Sequence, residues 1–370
     1  MLHNYLYYKI GDQVAWNKFQ AAHIAAKTNQ DMQFILYDSA FDKVDWLTEP
    51  ELSWNALLDI RAKQIAAKNK PIVFYFSGGT DSLTIYEVFK RNNIHIDVVW
   101  MRAWSFGDEQ EAQVPVRELM QKDFYDKHTK IIVQDGDELM GKKAYSNENW
   151  IWDQGMRYQY GIIGSDLNSN NEVAQYLGTD DFVAIIGFEK PRLLFTANGV
   201  FSYQDDENYV RPMSDPRFDC FFISPDLPEL HVKQSYMMLN YIRAKEPMAL
   251  RTEQLEKYNS FHNATKFHWH EYSIAACGRF GDINYSEKAH AGNAISKFYI
   301  PKNGKFIGRE YQGRARVDYL KFKNQDSFKN YNNGIMSVAN DAAGKYLLID
   351  PTNFYSVRQY QSKHYQLTFK

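Results

Sequence analysis

PIVFYFSGGTDS, residues 71–82, is the stretch from which the fold is read. Ile72, Val73, Phe74, Tyr75 and Phe76 form an apolar and aromatic run without polar alternation, the pattern of a strand covered on both faces of a parallel sheet. Ser77-Gly78-Gly79 breaks the run. Thr80-Asp81-Ser82 then opens a helical pattern in which Leu83, Ile85, Val88 and Phe89 fall on one apolar side. The stretch predicts a strand, a tight turn and a helix N-terminus in direct succession.

Such a succession favours anions. The first N–H groups of a helix have no intrahelical partner, and the helix dipole adds partial positive charge at that end. Gly78 and Gly79 carry no Cβ, so the backbone can approach a phosphate closely. Ser77, Thr80 and Ser82 add hydroxyl groups. Asp81 stands apart, because a carboxylate repels phosphate. It is expected either to hold Mg²⁺ or to cap the helix. The turn lacks the G-x-x-x-x-G-K-[ST] spacing of kinase and GTPase phosphate loops.

Working outward, the chain alternates strand and helix. A helix is expected from about Trp54 to Lys68, capped by Ser53. Further strands are expected at Ile94–Met101, Lys130–Val133 and Phe182–Gly187, with helices at about 81–91, 109–127, 148–160 and 171–177 between them. Alternation of this kind predicts an α/β fold, a parallel twisted sheet with helices on both faces. Ligands of such sheets sit at the carboxyl ends of the strands, where the SGGTDS turn falls. The fourth strand ends in Gly187-Phe188-Glu189-Lys190-Pro191-Arg192. Cations there, Lys190 and Arg192, stand on the same edge as the turn if the strands are parallel. They could neutralise a polyphosphate, and Glu189 could share a magnesium ion with Asp81.

Residues 1–52 read as a small α+β unit, with a helix from Val14 to Lys27, a strand at Met32–Tyr37 and Trp46 as an apolar plug in a loop. Residues 53–228 form the α/β domain, and 229–370 a mainly helical or mixed region. Asn198-Gly199 between alternating runs predicts a hairpin. Residues 205–228, acidic and proline-bearing, read as a long irregular segment. Leu230–Arg243 reads as a helix, and the aromatic tail from Tyr355 is expected to dock on the body.

The chain has 370 residues, of which 44% are hydrophobic, 24% charged and 16% aromatic, the balance of a globular protein with aromatic-rich cores. A net charge of −2 gives no global field for nucleic acid. No leading basic-then-apolar segment and no membrane-length apolar run occur, so a cytoplasmic protein without membrane contact is expected. The two cysteines, Cys220 and Cys277, form no CxxC pair, and Cys220 reads as a buried structural thiol. His268-Trp269-His270-Glu271 lacks the spacing of H-E-x-x-H and reads as a helix surface rather than a zinc site. Basic residues dominate 297–329, with tyrosines and phenylalanines between them. This stretch could track a nucleic-acid backbone or could be a solvated edge balanced by the acidic 205–229 segment.

Residues 77–82 resemble the SGGxDS signature of the PP-loop ATP pyrophosphatases, also called adenine nucleotide alpha hydrolase-like enzymes. This superfamily includes asparagine synthetase, NAD synthetase, GMP synthetase, argininosuccinate synthetase and tRNA-lysidine synthetase. The resemblance covers roughly residues 53–192. It implies ATP and Mg²⁺ as ligands, held by Ser77, Gly78, Gly79, Thr80, Asp81 and Ser82. It places Met101 and Arg102 near the adenine, where backbone groups of the strand end read the base edge, and Arg102 is alternatively on a phosphate or in solvent. It sets Gly187 at the late strand end that meets the phosphates, with Glu189 and Asp81 on the metal. Lys190 and Arg192 are then the clamp on the leaving pyrophosphate, with Asp81, Lys190 and Arg192 as the catalytic set. The cluster at 187–192 matches in position only and is not the asparagine synthetase pattern of glycine, small residue, Asp-Glu.

The chain also resembles asparagine synthetase-like PP-loop proteins of large tailed bacteriophages, through the run around Asp45-Trp46, the SGGTDS turn and the Gly187–Arg192 strand end. Residue 2 is Leu, and no cysteine precedes the turn, so no glutaminase half is expected. The nitrogen would come as ammonia, an amine or an amino acid. The resemblance implies an ATP-dependent ligase that adenylates an acceptor oxygen for attack by a nitrogen nucleophile. The acceptor is set by loops at 102–118 and 193–228. Two other readings stand beside it: a sulfur-transfer PP-loop enzyme, which generally needs a reactive cysteine or a metal–sulfur cluster, and a nucleotide- or nucleic-acid-binding module without turnover.

Overall fold

The structure, a computed structural model, describes residues 6–76, 80–103, 129–135, 145–154, 172–187, 191–196, 198–204, 215–245, 325–345 and 361–368. The chain opens with strands β1 (Leu6–Ile10) and β2 (Gln13–Ala15), helix α1 (Lys18–Thr28) and strand β3 (Met32–Leu36). The strands make an antiparallel sheet of order β2-β1-β3. Leu6, Tyr8 and Ile10 are buried on one side of β1, the period-2 pattern of a half-buried strand. The helix expected from Val14 starts at Lys18 instead. Asn17 is the reason: its Oδ1 accepts from Phe19 N at 2.8 Å as an N-cap, while its Nδ2 donates to Ile151 O at 3.1 Å.

A short helix α2 (Asp38–Phe41) and helix α3 (Trp54–Ala66) follow, and Ser53 Oγ caps α3 by accepting from Ala56 N at 3.2 Å. Trp46 is buried, as expected of a plug, and donates its indole N–H to Phe41 O at 2.9 Å. Then come β4 (Ile72–Phe76), α4 (Thr80–Arg91), β5 (Val98–Ala103) and β6 (Lys130–Asp135). The second strand begins at Val98 rather than Ile94, because Asp97 is used to close the start of β4. Its Oδ2 accepts from Ile72 N at 2.8 Å, and its own N–H donates to Ile72 O at 3.0 Å.

The remaining elements are α5 (Trp150–Gln154), α6 (Glu172–Leu177), β7 (Val183–Ile186), β8 (Arg192–Thr196), β9 (Gly199–Tyr203), β10 (Phe218–Cys220), α7 (Pro228–Lys245), α8 (Gln325–Ala339), a 3-10 turn (Ala342–Lys345) and β11 (Tyr365–Leu367). β4 is central in a five-stranded, all-parallel sheet of order β10-β7-β4-β5-β6. This is an α/β, Rossmann-like sheet. β8 and β9 form the hairpin expected at Asn198-Gly199, with Gly199 at φ 134°, and β11 adds to β9 to complete a third sheet of order β11-β9-β8. One cluster of buried apolar residues runs from Leu6 to Leu367. Among the described residues no helix is long and apolar enough to cross a membrane.

The segment 205–228, expected to be irregular, contains β10 at the sheet edge. Its middle residue, Asp219, is a carboxylate in a buried position, which hides the strand from a hydrophobicity reading. Arg61 of α3 neutralises it through Nη2, and Lys68 Nζ lies 2.7 Å from its other oxygen. Arg61 is 1% exposed and also donates Nε to Phe221 O at 3.3 Å. Burial alone would push the Asp219 carboxyl up, but the Arg61 and Lys68 charges outweigh it and hold it below the usual carboxylate range.

Two stability predictions follow from these buried groups. Asp219→Asn removes the nearer carboxylate of Arg61, leaves it only the half-exposed Asp226 at 3.6 Å, and is expected to cost about 3 kcal/mol, read as a lower denaturant midpoint. His231 of α7 is sealed at 1% exposure, stacked on Phe41 with ring centroids 5.4 Å apart, and burial pushes it down to about 3. The unfolded chain takes up this proton near pH 6.5 and the fold does not. Stability is therefore full above that pH and falls by roughly 2 kcal/mol at pH 5 on this group alone. His231→Gln should flatten that part of the pH–stability curve, and an unchanged slope would contradict the assignment.

Candidate active site at the reversal of strand order

The order β10-β7-β4-β5-β6 contains one reversal. From β4 the chain adds β5 and then β6 on one side, then returns to place β7 and β10 on the other. Connections leave β4 and β7 in opposite directions, which opens a crevice at their carboxyl ends, the place where open parallel sheets bind ligands. Both stretches singled out in the sequence end there. β4 ends at Phe76, directly before the SGGTDS stretch, and β7 ends at Ile186, directly before Gly187.

The two stretches meet. A methyl group in place of the Gly187 hydrogen would lie 3.0 Å from Ile85 Cδ1, 3.4 Å from Asp81 Cβ and 3.6 Å from the Asp81 carbonyl carbon. Gly187 thus lets the end of β7 approach the first turn of α4 closely. Asp81 is half-buried in that turn, while Ser82 and Thr84 are buried at 3% and 4% exposure. The dipole of α4 is matched at both ends, with Asp81 in its first turn and Lys90 and Arg91 in its last. The apolar side of the helix, Leu83, Ile85, Val88 and Phe89, is buried as its spacing predicted.

Met101 pairs in register with Phe76, the last residue of β4, so the end of β5 stands beside the end of β4. Arg102 is one residue further along the same strand, paired with Gln134 of β6. Arg192 does not lie in the parallel sheet. It opens β8 opposite Tyr203 of β9, and it is 6% exposed. A guanidinium at that depth has to be held by compensating polar groups. Thr80 begins α4. Ser77, Gly78, Gly79, Glu189 and Lys190 lie outside the described residues, as do the His268–Glu271 cluster, Cys277, the expected helix at 109–127 and most of the basic stretch 297–329. Cys220 is buried, in agreement with a structural thiol.

Among the described residues no group of three or more His, Cys, Asp or Glu is placed to hold a metal ion. Mg²⁺ fits a sparser site, since it is commonly bound through one or two carboxylates and substrate phosphates. Asp81, in the first turn of a helix at the carboxyl edge of the sheet, fits such a role. A surface cavity of about 520 Å³, bordered by Ser39, Lys43, Asp226 and Glu229 among others, includes none of the residues at the reversal.

No protein-family model matches the chain, and no curated protein matches its sequence. Among solved structures it is similar to the U34-tRNA thiolase NcsA from Methanococcus maripaludis with its 4Fe-4S cluster, at 9% identity and a TM-score of 0.26, over 78% of this chain and 80% of that one. A likeness of that size carries no argument about the site, which rests on the chain's own topology and contacts.

Gly187→Val tests the close approach. The added methyl groups must displace Ile85 and press on the first turn of α4, at an expected cost of about 1–3 kcal/mol. Faster amide exchange over residues 80–83 should accompany it. Unchanged stability and exchange would show that β7 and α4 are not in contact there.

Proposed function

We propose that the chain is an ATP-using enzyme of the PP-loop class, which cleaves ATP to AMP and pyrophosphate and passes the adenylyl group to an acceptor oxygen. A nitrogen nucleophile then displaces AMP, in the manner of asparagine synthetase but with nitrogen supplied free or as an amine. The observation that carries the nucleotide reading is the approach of Gly187 to Asp81 at the strand-order reversal. The ligase step rests on the SGGTDS resemblance. Sulfur transfer is the weaker reading, because Cys220 is buried in β10, away from attack by solvent-borne substrates.

The residues divide the work. The N-terminus of α4 and the turn before it take the phosphates on backbone N–H groups. Asp81 would hold Mg²⁺, which supplies charge neutralisation on the phosphate oxygens when bound. Gly187 keeps the second strand end clear of the phosphates. Met101 and Arg102 border the adenine, and Glu189, Lys190 and Arg192 supply further charge on the polyphosphate. The protein's contribution is positioning and preorganised charge rather than covalent chemistry. Nucleic acid, through 297–329, is one acceptor class within this reading.

Pyrophosphate and AMP release from ATP and Mg²⁺ should depend on an acceptor drawn from amino acids, nucleotides or tRNA. In Asp81→Ala it should fall by roughly 10²–10³. Release of ADP and phosphate instead would sink the mechanism. ATP binding with no turnover for any acceptor would favour a binding module.

A further inference from the structure

Two motifs of the sequence, Asp45-Trp46 and the strand end leading to Arg192, belong to different parts of the chain. One later segment joins them. Ser362 and Gln204 exchange two hydrogen bonds, Ser362 N to Gln204 O at 2.9 Å and Gln204 N to Ser362 Oγ at 3.0 Å. Gln204 follows Tyr203, the register partner of Arg192. The next residue, Lys363, places Nζ 2.6 Å from Asp42 Oδ2 and 3.5 Å from Asp38 Oδ2. Tyr365 stacks on Trp46 with centroids 4.3 Å apart and an interplanar angle of 11°, and its hydroxyl donates to Asp42 Oδ1 at 3.2 Å. Thr368 N then donates to the Tyr236 hydroxyl of α7 at 3.0 Å, and that hydroxyl donates to Trp46 O at 3.0 Å.

Among the described residues the β8–β9 hairpin makes no ladder bonds to the parallel sheet. Its place beside that sheet is therefore set from outside the ladder. Val200 joins the common core, Leu193 packs against it, and the Ser202–Ser235 hydroxyl contact at 2.8 Å links β9 to α7. A further tie is the segment 361–368, which grips β9 along its outer edge and is itself pinned to α2 and Trp46.

We propose that residues 361–368 are the positioning strap for Arg192: by holding β9 to α2 and Trp46 they fix where β8 begins, and so where the arginine meets the nucleotide site. Lys363 and Tyr365 are positioning residues that act through Arg192. The proposal rests on the nucleotide reading above for its functional half, while its structural half stands on the contacts just given.

The test uses the full chain with Lys363→Ala and Tyr365→Leu combined, alone and together with Arg192→Ala. The strap variant should remain folded by circular dichroism and show faster amide exchange over 192–203. Its kcat/KM for pyrophosphate release should fall about a hundredfold, as expected when a charged group is misplaced by an ångström. In the Arg192→Ala background the same strap change should cost little more, because both act on one group. A merely structural role would give additive losses, and additivity overturns the proposal. So does unchanged exchange over 192–203, or loosened exchange with native turnover. A native chain that releases no pyrophosphate with any acceptor sinks the nucleotide reading itself, and the strap's assignment to Arg192 falls with it.

Discussion

Five apolar residues in one extended strand leave no face for water. Ile72, Val73, Phe74, Tyr75 and Phe76 are all at or below 8% exposure, so β4 needs cover on both faces and hydrogen-bonding neighbours on both edges. β5 and β7 supply the edges, and the apolar side of α4 supplies part of the cover. The strands are parallel, so the chain has to return to the same end of the sheet between strands. With the first strand of the sheet in the middle, the later ones must be laid on one side and then on the other. The reversal between β4 and β7 is a consequence of burying β4 completely. The crevice follows from the reversal, and the N-terminus of α4 begins four residues past the end of β4.

The outer strand on the β7 side is held by a different force. β10 has three residues, and the middle one is a carboxylate. Phe218 and Cys220 are buried in the core and the strand pairs with β7, but the buried carboxylate needs a countercharge. The Arg61 guanidinium supplies it, with Lys68 beside it and the Phe221 carbonyl accepting from Arg61 Nε. A buried pair of this kind gains little over an apolar pair of the same shape, since both ions lose their water. It sets register, because Arg61 has its partners at only one position of β10 along α3.

The parts legible in the sequence are those whose causes are local. The apolar run of β4, the Ser53 cap of α3, the Asn198-Gly199 hairpin and the apolar stripe of α4 each come from residues a few positions apart. The convergence of Asp81 and Gly187 was half legible. Each lies just past a buried strand, but only the strand order makes them neighbours, and that order is a property of the whole sheet. β10 was hidden because the partners of Asp219 come from more than 150 positions earlier in the chain. β1 carries a local signal, the alternation of Leu6, Tyr8 and Ile10, next to the helical pattern that follows it. The burial of Arg192 had no local sign. A cation after a strand end reads as solvent-facing until its strand is known to lie inside a second sheet.

The elements that carry Asp81 and Arg192 are held in place by different means. Asp81 stands on a helix whose strand is bonded on both edges, and backbone ladders hold such a frame to within small fluctuations. Arg192 stands at the start of a hairpin tied to that frame by Val200 and Leu193 in the shared core, by the Ser202–Ser235 hydroxyl pair and, through residues 361–368, by contacts with α2 and Trp46. Side-chain contacts of partly exposed groups yield more easily than a ladder, since each is worth about 1 kcal/mol or less.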